Sequence, residues 1–163
     1  FKIALQQTNT PCALLLTRQG IPILSLEKKT VYNGVSKGAY IIKDDDSPEL
    51  IFLATGSEVS LALEVSKLMN DKRVRVVSMP CWELFDAQSK EYRDSIIPSR
   101  GAMKISFEAG ITLGWERYIG PNGLSIGLDR FGASAPGKDL AEEFGFTPQK
   151  ISEKIISHLK KLL

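Results

Sequence analysis

At 163 residues, with 43% apolar and 25% charged side chains, the chain has the composition of an ordinary globular domain, large enough for a substantial core. Its 21 basic and 19 acidic residues leave a formal charge of +2 and are mixed along the chain, so the basic stripe of a nucleic-acid-binding surface is missing. No apolar run approaches the roughly 20 residues that a bilayer-spanning helix needs.

In chain order, Phe1–Gln7 reads as the tail of a helix, stopped by Thr8-Asn9-Thr10-Pro11. Ala13–Leu16 reads as a buried strand ending on the polar tip Thr17-Arg18-Gln19. Ile21–Gly38 holds glycines, a proline and the Glu27-Lys28-Lys29 cluster without a sustained period, the pattern of a linker. A complete domain is expected from near Lys37, with a first strand at Gly38–Lys43 and a polar turn over Asp44–Pro48.

The stretch Leu50–Val65 is the organising unit. Leu50–Leu53 is a short apolar run bounded by Thr55-Gly56, which reads as a strand buried on both faces. Ser57 fits an N-cap and Glu58 an acidic first turn, followed by Val59, Ala62, Leu63, Val65 and Met69 at helical spacing. Val74–Ser78 supplies the next strand of a βαβ unit, which argues for an α/β domain. Further strands are expected at Met103–Phe107 and Leu124–Leu128, giving a mostly parallel five-stranded sheet in a three-layer α/β/α arrangement. Helices are expected at Ser89–Ile97, Leu113–Ile119, Asp139–Phe144 and from Thr147-Pro148 to the end, where Ile151, Ile155, Ile156, Leu159 and Leu162 fall along one side.

Candidate chemistry is sparse. Gly56-Ser57-Glu58 at a strand–helix junction has the setting of an anion site, but neither a phosphate-binding GxxxxGK[ST] loop nor GxGxxG occurs, and Glu58 would repel a phosphate. Arg18, at a strand tip, has the planar donor fork that suits phosphate or carboxylate. Glu108 stands at a strand end without a neighbouring histidine or second carboxylate. His158, the only histidine, lies among lysines on the last helix. Asp44-Asp45-Asp46 lacks the continuation of a calcium loop. Trp82, Phe85, Trp115, Tyr118 and Phe131 are enough aromatics for an interface, with core packing the default for most. Cys12 and Cys81 lack zinc-ligand spacing and read as reduced thiols of a cytoplasmic protein. The chain starts at Phe1 without an initiator Met, which reads as a piece of a longer protein.

Several stretches together resemble the C-terminal end of transketolase, the thiamine-diphosphate-dependent family. They are Leu16-Thr17-Arg18-Gln19, Ala54-Thr55-Gly56-Ser57-Glu58-Val59, Val74–Pro80, Phe85-Asp86 with Tyr92-Arg93, Asp129-Arg130-Phe131-Gly132-Ala133-Ser134-Ala135-Pro136-Gly137, and Glu143–Thr147. The resemblance implies residues 1–19 as a remnant of the pyrimidine-binding domain, 20–36 as a linker and 37–163 as the C-terminal domain. It also implies a homodimeric parent enzyme that uses thiamine diphosphate and a divalent metal (magnesium or calcium) to move a two-carbon ketol unit between sugar phosphates. Arg18 matches the family's phosphate-contacting basic residue, with Thr17 where serine is usual. The family's catalytic, cofactor and metal ligands precede this sequence, so no such residue is assigned here, and this piece alone is expected to be inactive and to support the dimer. The alternatives are an anion- or nucleotide-binding module at Gly56–Glu58 and the C-terminal domain of another thiamine-diphosphate enzyme.

Overall fold

The computed structural model describes residues 1–162. A short helix α1 (Lys2–Gln6) leads into an extended, largely exposed arm, and α2 (Lys28–Ser36) then brings the chain to the sheet. Strands β1 (Tyr40–Lys43) and β2 (Leu50–Ala54) are followed by α3 (Glu58–Leu68) and β3 (Val74–Ser78). Two short helices, α4 (Trp82–Asp86) and α5 (Lys90–Ile96), precede β4 (Met103–Phe107). Then come α6 (Glu116–Ile119), β5 (Leu124–Ile126), α7 (Gly137–Glu143) and α8 (Pro148–Leu162).

The five strands lie in the order β1-β3-β2-β4-β5. β3, β2, β4 and β5 are parallel, whereas β1 pairs antiparallel with β3 at the edge. All five residues of β2 are buried, because this strand is central and both its faces are covered. Its side chains alternate between two cores. Leu50, Phe52 and Ala54 face α3 and α8, meeting Val59, Ala62, Val65, Ile151 and Ile155. Ile51 and Leu53 face the opposite layer, where Phe85, Ile96, Ile97, Trp115 and Ile119 come from the α4–α6 side. The expected three-layer α/β/α sandwich is therefore present.

Some local expectations are corrected. Ala13–Leu16 forms no strand: Leu14, Leu15 and Leu16 are all exposed, and no other described segment pairs with them. The second half of the expected linker folds as α2, whose Gly34 lets the ring of Tyr40 approach closer than a Cβ would allow. Ser57 does not cap α3 through its side chain. Its backbone is already helical, and its hydroxyl donates to Glu58 Oε1 at 2.8 Å. The helix expected over Leu113–Ile119 starts late, because Gly114 has φ +95° and sets Trp115 into a turn onto Thr112. β5 ends at Ile126, beyond which the Leu128 amide leaves the strand ladder to donate to Gly110 O at 2.7 Å.

The antiparallel edge is held by polar pairing. Arg75, from β3, binds both carboxylate oxygens of Asp44 and also donates to the Ser95 and Ile96 carbonyls at the end of α5. Asp45 accepts from Lys43 Nζ at 2.6 Å and from the Val74 amide at 2.9 Å. The aspartate run is thus a fastening of the β1–β2 turn.

Gly38 sits where β1 begins, at φ +83°, and a Cβ there would lie 2.3 Å from both Cys81 O and Phe85 N. Both neighbours are backbone and cannot swing away. Gly38→Ala is expected to destabilise by about 2–4 kcal/mol, from left-handed strain plus overpacking. Urea unfolding checks this, and a loss below about 0.5 kcal/mol, the size of a neutral surface change, would place the glycine in a looser setting.

Candidate functional site

In an open α/β sheet the ligand-binding edge is the carboxyl end of the parallel strands, at the point where the strand order reverses. Here β2 connects outward to β3 on one side and lies beside β4 on the other, so that point falls between the tips of β2 and β4. The β2 tip is Thr55-Gly56-Ser57-Glu58, with Gly56 at φ +56°. Its helix start is satisfied internally: the Glu58 amide donates to Thr55 O, and the Glu58 carboxylate is held beside the first turn by Ser57. A carboxylate in that place opposes anion binding and favours the helix dipole.

The β4 tip is Glu108-Ala109-Gly110. Glu108 accepts the indole N–H of buried Trp115 at 2.6 Å, so its carboxylate anchors an aromatic cluster. In that cluster Trp82 meets Trp115 and Tyr118 with ring centroids 5.0 and 5.4 Å apart, in edge-on geometry. Tyr118 donates its hydroxyl to Asp86, which also pairs with Arg117. Burial, together with the Asp86 charge, pushes the Tyr118 phenol far above the usual tyrosine range. It is a fixed donor without acid–base use at neutral pH.

Between the β4 and β5 tips lies a pocket of about 660 Å³, lined by Gly110, Ile111, Leu128, Asp129, Arg130 and Phe131 among others. Asp129 is committed to Thr112, accepting from its amide at 2.8 Å and from its hydroxyl at 2.9 Å. Those two bonds hold the Asp129 carboxyl below the usual aspartate range. Arg130 lies over the Phe144 ring at 5.2 Å, whereas Phe131 projects outward, 95% exposed. Of the side chains lining the pocket, Arg130 has no ion-pair or hydrogen-bond partner among the described residues, and no nucleophile–base pair stands there.

The sequence-predicted residues are dispersed. Arg18 lies in the exposed arm, where the Thr17 hydroxyl donates to Gln19 O at 2.9 Å, and is not brought to any other candidate. Among the described residues, the His158 ring pairs with Asn122 O, at 3.1 Å. Cys12 is exposed and Cys81 half-buried, both as free thiols. Burial pushes the Cys81 thiol up, away from reactivity. Among the described residues, no three His, Cys, Asp or Glu side chains are grouped to hold a metal ion.

Sequence reasoning passed over a second pocket, of about 510 Å³, between α5 and α6 at the start of β4. It is lined by Arg93, Ser99, Lys104, Arg117 and Tyr118 among others. The available signal was Lys104, the one charged residue of the strand Met103–Phe107, whose only other polar side chain is that of Ser106.

The domain's class follows from the fold and from comparison with known proteins. The family model described as the transketolase-like TK C-terminal domain matches residues 38–147. A transketolase of Staphylococcus epidermidis is 46% identical over 160 residues, covering 96% of this chain and 24% of the relative. Among solved structures, transketolase from Leishmania mexicana superposes with a TM-score of 0.72 at 42% identity, over 79% of this chain and 19% of that one. A Pichia stipitis transketolase solved with sedoheptulose 7-phosphate gives 0.73 at 36% identity, over 78% and 19%. A mixed sheet of this order between two helical layers, matched in this way, is a transketolase-type C-terminal domain. The chain belongs to the transketolase family, and it spans about a quarter of the length of the curated relative it matches.

The Asp129–Thr112 bonds have a checkable pH signature. A carboxyl whose folded pKa is depressed stabilises fully above its unfolded pKa, and that contribution is lost as pH falls through the folded pKa. The Thr112 amide shift is expected to titrate with a midpoint below the ordinary aspartate range, and to lose that titration in Asp129→Asn. A midpoint at the ordinary aspartate value would show that the two bonds do not hold in solution.

Proposed function

We propose that this chain is the C-terminal part of a transketolase whose intact form moves a two-carbon ketol unit from a ketose phosphate to an aldose phosphate. The family match across residues 38–147 carries this reading. The exposed arm supports it. Leu15, Leu16 and Ile23 are apolar yet exposed, Ile23 at 98%, as expected of a segment that completes another sheet. Residues 1–19 would be the end of the pyrimidine-binding domain, 20–36 the connection and 37–163 the C-terminal domain.

In that reading thiamine diphosphate and a divalent metal supply the carbanion chemistry on the preceding domains. This chain contributes Arg18, whose guanidinium fork suits a sugar phosphate and has no carboxylate partner among the described residues. The C-terminal domain itself buttresses a homodimer. Two free thiols fit a reducing, cytoplasmic setting, and no described helix is long and apolar enough to cross a membrane.

Arg18→Ala in the intact enzyme is expected to raise KM for phosphorylated acceptors by roughly tenfold or more, the size of a lost charge-assisted hydrogen bond, and to spare unphosphorylated ones. Equal effects on both would remove Arg18 from the phosphate site. Calorimetric titration of this chain with thiamine diphosphate and magnesium is expected to show no saturable heat. A single-site isotherm would overturn the assignment of cofactor binding to the preceding domains.

A further inference from the structure

The pocket between α5 and α6 has a charge imbalance that the fold does not use. Four cations line it, Lys90, Arg93, Lys104 and Arg117, against two carboxylates, Asp86 and Asp94. Lys90 pairs with Asp94 and Arg117 with Asp86, which leaves Arg93 and Lys104. Lys104 is only 8% exposed, yet its ammonium meets a single long acceptor, Ala102 O at 3.4 Å. No ion pair or side-chain hydrogen bond joins Arg93 to another described residue. The covered residue thus presents to the pocket an ammonium with two donors that no described protein group takes and no counter-charge, an arrangement that an anion would complete.

We infer that this pocket is a binding site for a phosphate dianion, free or carried as a small phosphomonoester, held by Lys104 and Arg93. Three features select that chemistry. Two uncompensated cations match the charge of roughly −1.5 to −2 that a phosphomonoester carries at neutral pH. A guanidinium fork and a point ammonium are complementary ways of meeting phosphate oxygens. A volume of about 510 Å³ exceeds what phosphate alone fills, leaving space for an attached carbon chain beside Ser99 and Tyr118. Burial lowers the Lys104 pKa without a compensating carboxylate, and an arriving dianion would supply that compensation. The site is separate from Arg18, which lies in the exposed arm, and it is independent of the catalytic assignment above.

The test is amide chemical-shift mapping of the chain titrated with sodium phosphate and, in parallel, with glycerol 1-phosphate, at constant ionic strength set by sodium chloride. Saturable binding with one site per chain is expected, with shifts at Arg93, Lys104 and Gly120. Lys104→Met keeps the apolar stem, and Arg93→Gln changes a half-buried side chain on a surface helix, so both variants retain the fold. Each is expected to weaken binding roughly tenfold or more, as for a lost charge-assisted hydrogen bond. Arg18→Ala is expected to leave it unchanged. Tighter binding of the ester than of phosphate would identify a phosphorylated metabolite as the occupant, and equal binding would identify free phosphate. Absence of a saturable response, a response untouched by either pocket substitution, or one abolished by Arg18→Ala overturns the site.

Discussion

Burial of β2 on both faces is the constraint from which the rest of the domain follows. A strand with Leu50, Phe52 and Ala54 on one side and Ile51 and Leu53 on the other has no face to give to water. It must lie in the middle of a sheet, and it must have a helical layer above and below. Its backbone is satisfied by parallel neighbours, β3 and β4, in continuous register over all five residues. Parallel neighbours in turn require crossovers, which α3 and the α4–α5 pair supply. The antiparallel β1 closes the edge beside β3, with Arg75 bridging the β1–β2 turn to the end of α5.

The polar residues at the strand tips are spent on structure. Glu108 holds Trp115, Asp129 holds Thr112, and Glu58 sits beside the first turn of its own helix. Each is a carboxylate at the edge where α/β sheets place their chemistry, and each already has its donors. The unmet electrostatic demand lies elsewhere, at Lys104 and Arg93 on the α5–α6 side.

Recognition of the family and recognition of the fold drew on different information. The apolar runs and the Gly-Ser turn predict the strands and α3 by physics alone, since periodicity and turn chemistry are local. The Asp129–Gly137 segment carries family identity but little local structural force. In the structure it is an irregular, exposed loop with Phe131 pointing outward, and its meaning depends on what lies against it. The arm shows the converse case. Leu14-Leu15-Leu16 has strand composition yet remains unpaired, because a strand needs a hydrogen-bonded neighbour and no other described segment pairs with it.

By itself the sequence determined the five strands of the sheet, the long helices α3 and α8 and the three-layer class, which rest on period and turn chemistry, while its motifs carried the resemblance to the family and, through it, the candidacy of Arg18. Tertiary structure decided which of the strands becomes the antiparallel edge and that Asp44 is consumed by Arg75. It also decided that Gly114 shortens α6 and that Lys104 is buried without a counter-charge. These outcomes depend on residues far apart in the chain arriving at the same place: Asp44 and Arg75 are separated by 31 positions, as are Asp86 and Arg117. Local pattern carries no record of such meetings, because the energy that selects them is that of packing and ion pairing across elements.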